Sequence, residues 1–169
     1  CFIRWPGQFK AGTVLNGIFS HQDWMATFLA AAGVPDVKEQ LLEGYQAGDK
    51  KFKVHLDGFN MLPYLKGEVQ ESPRTSFFYI SDDGDIMAIR MNDWKVVLME
   101  QRAKQLACWM EPFVKLRIPK IFHLRRDPFE RADENSNTYY DWMISNAFSI
   151  YLMQGVVAQQ MENFVKFPP

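Results

Sequence analysis

Cysteine is almost missing from this chain: Cys1 and Cys108 are the whole complement in 169 residues. A single pair in a chain of this length supplies neither a disulfide framework nor a metal cluster, and it leaves the redox compartment open. Net charge is missing too. Nineteen Lys and Arg against twenty Asp and Glu leave −1 at neutral pH, so no global field draws the chain to nucleic acid or to an anionic membrane surface. There is no long apolar run. The most apolar late stretch, 147–158, is interrupted by Ser149, Gln154 and Gly155 and falls short of the roughly 20 residues a membrane span requires. Internal repeats and low-complexity tracts are absent as well. No nucleic-acid or membrane partner is therefore expected.

What is present is core-forming material. Hydrophobic residues make up 47% and aromatic residues 15% of the chain, which excludes intrinsic disorder and suffices for one core, or for a small domain plus a piece of another. The opening Cys1-Phe2-Ile3 has neither an initiating Met nor the layout of a signal peptide, and Phe167-Pro168-Pro169 stops on residues that lead out of a helix. Both ends are expected to be cuts within a longer protein.

Local patterns divide the chain into two textures. Phe2 to Trp5 reads as a short strand stopped by Pro6-Gly7. Ser20 as N-cap with Asp23 three positions on starts a helix carrying Trp24, Phe28, Leu29 and Ala32 at helical spacing, ended by Gly33-Val34-Pro35. Asp36 and Glu39 repeat the pattern for a shorter helix through Leu41 and Leu42, followed by a polar connection over 49–53. Met61 to Leu65 forms a helical turn closed by Lys66-Gly67. After Pro73 the texture becomes β. Runs at 75–80, 86–91, 94–99 and 121–124, separated by Ser81 to Asp85 and by Asn92-Asp93, predict an antiparallel meander. One long helix is expected over 138–165, with Trp142, Ala147, Ile150, Val157, Met161 and Phe164 facing the sheet. The fold class is thus α+β: about four antiparallel strands packed by a long C-terminal helix.

Short clusters invite chemical readings, and each has a plainer one. Ser20, His21 and Asp23 hold the residue types of a hydrolytic triad, but their spacing at one helix start cannot form nucleophile, base and orienter, so capping is expected. Arg117, Lys120, Arg125 and Arg126 with Phe122 and His123 make a locally basic run that phosphate or RNA could use; a solvated strand edge fits the balanced charge better. His55 and His123 have no partner evident in sequence for metal or acid–base work. Phe77, Phe78, Tyr79, Trp94 and Trp109 are read as core and sheet face rather than a ligand platform.

The order of the blocks is more specific than any one of them. Arg4-Trp5-Pro6-Gly7; Ser20-His21-Gln22-Asp23 with Thr27-Phe28-Leu29 and Ala31-Ala32-Gly33; Leu56-Asp57-Gly58 with Leu62, Tyr64-Leu65 and Gly67; and Ser72-Pro73-Arg74 before an aromatic strand succeed one another. Ala88-Ile89-Arg90 with Asp93-Trp94-Lys95 and then Phe122-His123-Leu124 with Asp127-Pro128 and Glu130 complete the series. Together they resemble the sulfatase family, and bacterial arylsulfatases in particular, over residues 1 to about 135 and more loosely through the last helix. Trp24-Met25-Ala26 departs from the Leu-x-Pro of many relatives, a packing difference.

The resemblance implies a phosphatase-like α/β catalytic domain followed by a smaller domain with a four-stranded antiparallel sheet and a helix. On that reading residues 1–70 are the end of the catalytic domain and 71–169 the C-terminal subdomain. Family chemistry implies a formylglycine made from the Cys of a Cys-x-Pro-x-Arg motif, with calcium holding the sulfate, because a sulfate ester needs an activated oxygen nucleophile and concentrated positive charge. Neither cysteine fits: Ile3 and Met110 stand two positions after Cys1 and Cys108. Ser81-Asp82-Asp83-Gly84 is similar to the family's Ser-Asp-Asn-Gly metal motif, but that motif precedes the Trp-Pro-Gly block and here it follows it, between two strands, where Asp and Gly form turns. No catalytic, cofactor or metal residue is therefore expected in this chain. The expectation is a C-terminal fragment supporting a sulfuric ester hydrolase, inactive alone and prone to self-association, with calcium and formylglycine belonging to the parent and the missing catalytic domain as its partner. A metal-dependent phosphate or phosphonate ester hydrolase and a non-catalytic interaction module are the alternatives.

Overall fold

A computed structural model describes residues 1–168; Pro169, part of the predicted C-terminal stop, lies outside the described residues. Two units divide the chain, one formed by Cys1–Thr75 with the last residues from Asn163, the other by Ser76–Glu162.

The first unit holds short helices and a small hairpin joined by long irregular segments. Helix α1 (Asp23–Ala31) is followed by α2 (Val37–Glu43), a small hairpin of β1 (Tyr45–Ala47) and β2 (Lys50–Phe52), and α3 (Leu62–Lys66). Ala26, Val37 and Leu41 form its small core, with Leu29, Val34 and Leu56 against them. Helix α1 departs from its predicted start. Its N-cap is Gln22, with no side-chain cap bond; only the reciprocal half of the expected capping box exists, the Ser20 N–H donating to Asp23 Oδ2 at 2.8 Å. Asp23 and Thr27, not Trp24 and Phe28, face inward. Phe2 to Trp5 is not a strand among the described residues, since a lone extended segment has no ladder to bond. The polar connection at 49–53 proves to be part of the β1–β2 hairpin, paired Tyr45 with Phe52. All six of its strand residues are exposed, so no alternation marked it. Helix α3 ends as expected, with Gly67 at φ 77°, a conformation that suits a residue without Cβ.

The second unit is a four-stranded antiparallel sheet in the order β3 (Ser76–Ile80), β4 (Ile86–Met91), β5 (Trp94–Glu100), β6 (Val114–His123). The helices α4 (Ala132–Asn135), α5 (Tyr139–Ser145) and α6 (Phe148–Lys166) follow. The α+β class with a long C-terminal helix is what the molecule adopts. Ile89, Val96 and Ile121 from three neighbouring strands and Met153 from α6 form the core, with Trp94, Trp142, Ile150 and Val157 packed on it. Two expectations need correcting. Strand β6 has ten residues rather than the four foreseen, because Pro119 and its charged neighbours mask an edge strand whose register slips between Val97 and Met99 of β5. The single helix over 138–165 is two. Asn146 caps α5 in a non-helical conformation, its Nδ2 donating to the Trp142 carbonyl at 2.8 Å, a local bond by which Asn competes with helix continuation. Met153 is the buried centre of α6, whereas Met161 and Phe164 of the predicted stripe are exposed.

Candidate functional site

The first unit is organised around one buried charge pair. Asp23, on the first turn of α1, has no exposed surface, and Arg74 is 5% exposed. The guanidinium meets the carboxylate in a two-pronged contact, Nε to Oδ2 at 2.8 Å and Nη2 to Oδ1 at 2.6 Å. Two backbone donors complete the set: the Ser20 N–H reaches Oδ2 and the Phe59 N–H reaches Oδ1, both at 2.8 Å. A carboxylate has about four lone-pair sites, and all four are used. Asp23 can therefore neither take a substrate proton nor ligate a metal; it is a clamp. Arg74 also donates through Nη2 to the Asp57 carbonyl at 3.0 Å and lies 4.8 Å from the Phe59 ring centroid. With its amide oxygen facing the guanidinium, Gln22 accepts from Nη1 and Nη2 at 2.8 Å.

The same pair dictates nearby residue choices. A Cβ on Gly58 would lie 2.2 Å from the Gln22 carbonyl oxygen, so the loop can approach the start of α1 only with glycine there. Thr27 Oγ1 accepts from the Met61 N–H at 3.0 Å and donates to the Asp23 carbonyl at 2.7 Å. Lys38 also stands over the Phe59 ring, 4.4 Å from its centroid. Burial pushes the Lys38 ammonium below its ordinary value, and the positive charge of Arg74 works in the same direction against the pull of Asp57.

In the second unit the ion pairs are anchored on β5 and β6. Lys120 on β6 contacts Glu100 at 2.6 Å and Asp133 at 2.7 Å. Burial opposes its charge, but the hydrogen bonds to Asp133 and Glu100 outweigh burial and hold its pKa above the ordinary value. Lys120 in turn holds Glu100 below the usual carboxylate range. Lys95 Nζ donates to both oxygens of Glu130, at 2.9 and 2.7 Å, and stands 4.4 Å over the Tyr79 ring. The Tyr139 hydroxyl bridges the Ile121 N–H and carbonyl, each at 3.1 Å.

The sequence-singled residues do not converge. His21 is exposed, while the Asp23 carboxylate is committed to Arg74, so no triad forms. His55, foreseen without a partner, has one in Asp57, Nδ1 to Oδ1 at 3.1 Å. The basic run disperses: Lys120 is neutralised, Phe122 is buried, and Arg117 is exposed on the edge strand. Phe78 and Trp94 join the sheet core, Phe77 and Tyr79 pair edge-on at 4.9 Å, but Trp109 is 86% exposed. It belongs to a 3₁₀ helix, Gln105–Trp109, in the β5–β6 connection, and not to the sheet. Ser81 to Gly84 closes a hairpin, with Ser81 Oγ accepting from the Asp85 N–H at 3.1 Å. No group of three His, Cys, Asp or Glu among the described residues could hold a metal ion. Cys1 and Cys108 are both exposed thiols, and neither stands in a Cys-x-Pro-x-Arg motif. The described residues fit neither group. Sequence reading missed the Asp23–Arg74 pair, although both residues stood in the quoted blocks; a separation of 51 positions carries no local signal.

No family model matches the chain, and neither does any of the curated proteins compared. Among solved structures it is similar to the PsFucS1 sulfatase from Pseudoalteromonas sp., at 23% sequence identity and a TM-score of 0.64 over 97% of this chain. The chain spans 29% of the length of that protein. The fold of this chain is thus one found within a sulfatase.

Proposed function

We propose that this chain is the carboxy-terminal part of a sulfuric ester hydrolase of the arylsulfatase type. Its role is to support the catalytic domain of the same protein and to shape the rim of the substrate cleft. The observation that carries this reading is a fold likeness covering 97% of this chain and only 29% of a sulfatase. The sequence blocks supply an independent argument. Ser20 to Asp23, Asp57-Gly58 and Ser72 to Arg74 meet at the buried pair. Asp93 to Lys95 meets the later blocks through Lys95 to Glu130, through the Leu124 N–H donating to the Asp93 carbonyl at 2.7 Å, and through Trp94 and His123 with ring centroids 4.8 Å apart. Blocks that interlock in space have a physical reason to recur together.

On this reading nucleophile, calcium and the cations that face the sulfate belong to the rest of the parent protein, and the 169-residue chain alone is inactive. Exposed Leu106, Trp109 and Met110 on the β5–β6 connection favour a second role, an apolar interaction surface. Hydrolysis of nitrophenyl sulfate by this chain and by the longer parent, with calcium and with chelator, tests the reading. Turnover by the parent alone, lost on chelation, is expected. Turnover by the 169-residue chain would overturn it, and a parent that cleaves phosphate or phosphonate esters in preference would transfer it to that related class.

A further inference from the structure

The connection between β5 and β6 is well fixed and yet uncovered. Leu106, Trp109 and Met110 are 78%, 86% and 78% exposed. Leu106 and Trp109 stand three positions apart in the 3₁₀ turn Gln105–Trp109, where such residues lie one above the other on one face, and Met110 follows directly. Gln101 holds the turn. Its Nε2 donates to the Cys108 and Glu111 carbonyls at 3.2 and 2.7 Å, and its Oε1 accepts from the Ala103 N–H at 2.8 Å. The Ala107 carbonyl accepts from the Met110 and Glu111 N–H groups, both at 3.0 Å. These bonds satisfy the carbonyls of Ala107, Cys108 and Glu111 within the connection itself, which lowers the cost of bringing it into an apolar layer. Cations stand at its root. Lys104 precedes the turn, and Lys115 and Arg117 lie two apart on β6 and so share one face of the strand. All three are exposed and form no ion pair among the described residues. Glu111 is the one acid between Gln101 and Phe113, and Glu100 at the end of β5 is engaged by Arg102 and Lys120.

We propose that the β5–β6 connection is a peripheral anchor for an anionic lipid bilayer, with Leu106, Trp109 and Met110 entering the interfacial layer while Lys104, Lys115 and Arg117 meet the headgroup phosphates. Tryptophan suits that boundary, its ring apolar and its N–H wet, and Lys and Arg lay their stems along apolar surface while the charge stays in water. Charge decides between occupants. An isologous contact of two copies would set these cations against one another, whereas an anionic surface neutralises them. The net charge of −1 supplies no field over the whole molecule, so the attraction is local and acts within about 10 Å of the surface. No helix among the described residues is long and apolar enough to cross a membrane; the contact is with one leaflet. This names the partner of the apolar surface proposed above for the same connection, and it rests on that role and not on ester hydrolysis.

The test floats the 169-residue chain with vesicles of phosphatidylcholine and phosphatidylserine in equal parts, and with vesicles of phosphatidylcholine alone, while following tryptophan emission. Co-flotation with the mixed vesicles and a blue shift are expected. Binding to phosphatidylcholine alone should be at least about tenfold weaker, since each cation near an anionic surface is worth about fivefold. Trp109→Glu should weaken binding to the mixed vesicles by about tenfold or more, whereas Trp109→Phe should keep binding and lose most of the blue shift. Joint replacement of Lys104, Lys115 and Arg117 by Gln should abolish the preference for the mixed vesicles. Unchanged Ile89 and Ile121 methyl resonances in the variants certify the fold. Absence of co-flotation, equal binding to both kinds of vesicle, or binding undiminished in Trp109→Glu would overturn the proposal; if self-association through Trp109 persists, the apolar surface stands and only its lipid partner falls. Binding by this chain that the longer parent lacks would show the connection to be covered within that protein, and would overturn the proposal as well.

Discussion

Asp23 and Arg74 show how much a single side chain can carry at this size. Removing one partner of a buried, fully hydrogen-bonded ion pair leaves an uncompensated charge and costs about 3–5 kcal/mol. Asp23→Ala should therefore lower the stability of the first unit by that order in urea unfolding. Joint replacement by Leu and Met should recover much of the loss, because the desolvation cost of both charges vanishes with them. A small effect of Asp23→Ala would mean that Arg74 finds other acceptors. The edge pair Glu100–Lys120 behaves differently. Hydrogen bonding to Lys120 lowers the Glu100 pKa from its ordinary 4.5 despite some opposing burial. A depressed carboxylate pKa contributes stability that is complete above the unfolded-state value and is lost as pH falls through the folded-state value. Acid titration should accordingly show a loss of stability in the second unit beginning near pH 4.5 and continuing below it. Glu100→Gln should flatten that limb, and should cost no more than about 1 kcal/mol at neutral pH, as expected for a partly exposed pair. An acid limb identical in the variant would show that other carboxylates set it.

At the scale of elements, α6 and the loop at Gly58 are the sensitive places. Met153 is 1% exposed between Ile89, Val96 and Ile121, so Met153→Ala removes both transfer energy and packing and should cost about 2–5 kcal/mol. Tyr151 on the same helix is 73% exposed, and Tyr151→Ala should change stability by no more than about 0.5 kcal/mol. The contrast, measured by chemical denaturation, separates the buried stripe from the outward face; equal effects would mean that α6 packs by a different face. Gly58→Ala places a methyl against the Gln22 backbone, where nothing flexible can give way. A cost of about 1–3 kcal/mol is expected, the range of overpacking.

Each unit leaves large apolar side chains uncovered: Phe28 of α1 is 62% exposed and stacks on Trp24 at 5.1 Å, and Trp109 is 86% exposed in the β5–β6 connection. Such surface associates in water. Light scattering across a concentration series should show self-association that Phe28→Glu and Trp109→Glu reduce. A strictly monomeric profile at high concentration would count against the idea that these faces are normally covered.

Legibility followed sequence distance. Strands β3 to β5 and helix α3 were readable because alternation, turn residues and the Lys66-Gly67 stop act within a few positions. Strand β6 was only partly readable, since a proline that would break a central strand is tolerated at a sheet edge, as Pro119 is here. By itself the sequence determined the α+β class, the meander, and the absence of a Cys-x-Pro-x-Arg nucleophile. Only the tertiary structure decided that Asp23 clamps Arg74 besides keeping half of its capping box, that His55 has a partner, that the long helix breaks at Asn146, and that Arg126 and His123 line one cavity. The physical reason is the same in each case. Propensity and periodicity are properties of neighbours along the chain, whereas burial and saturation of a polar group depend on residues brought close only by folding.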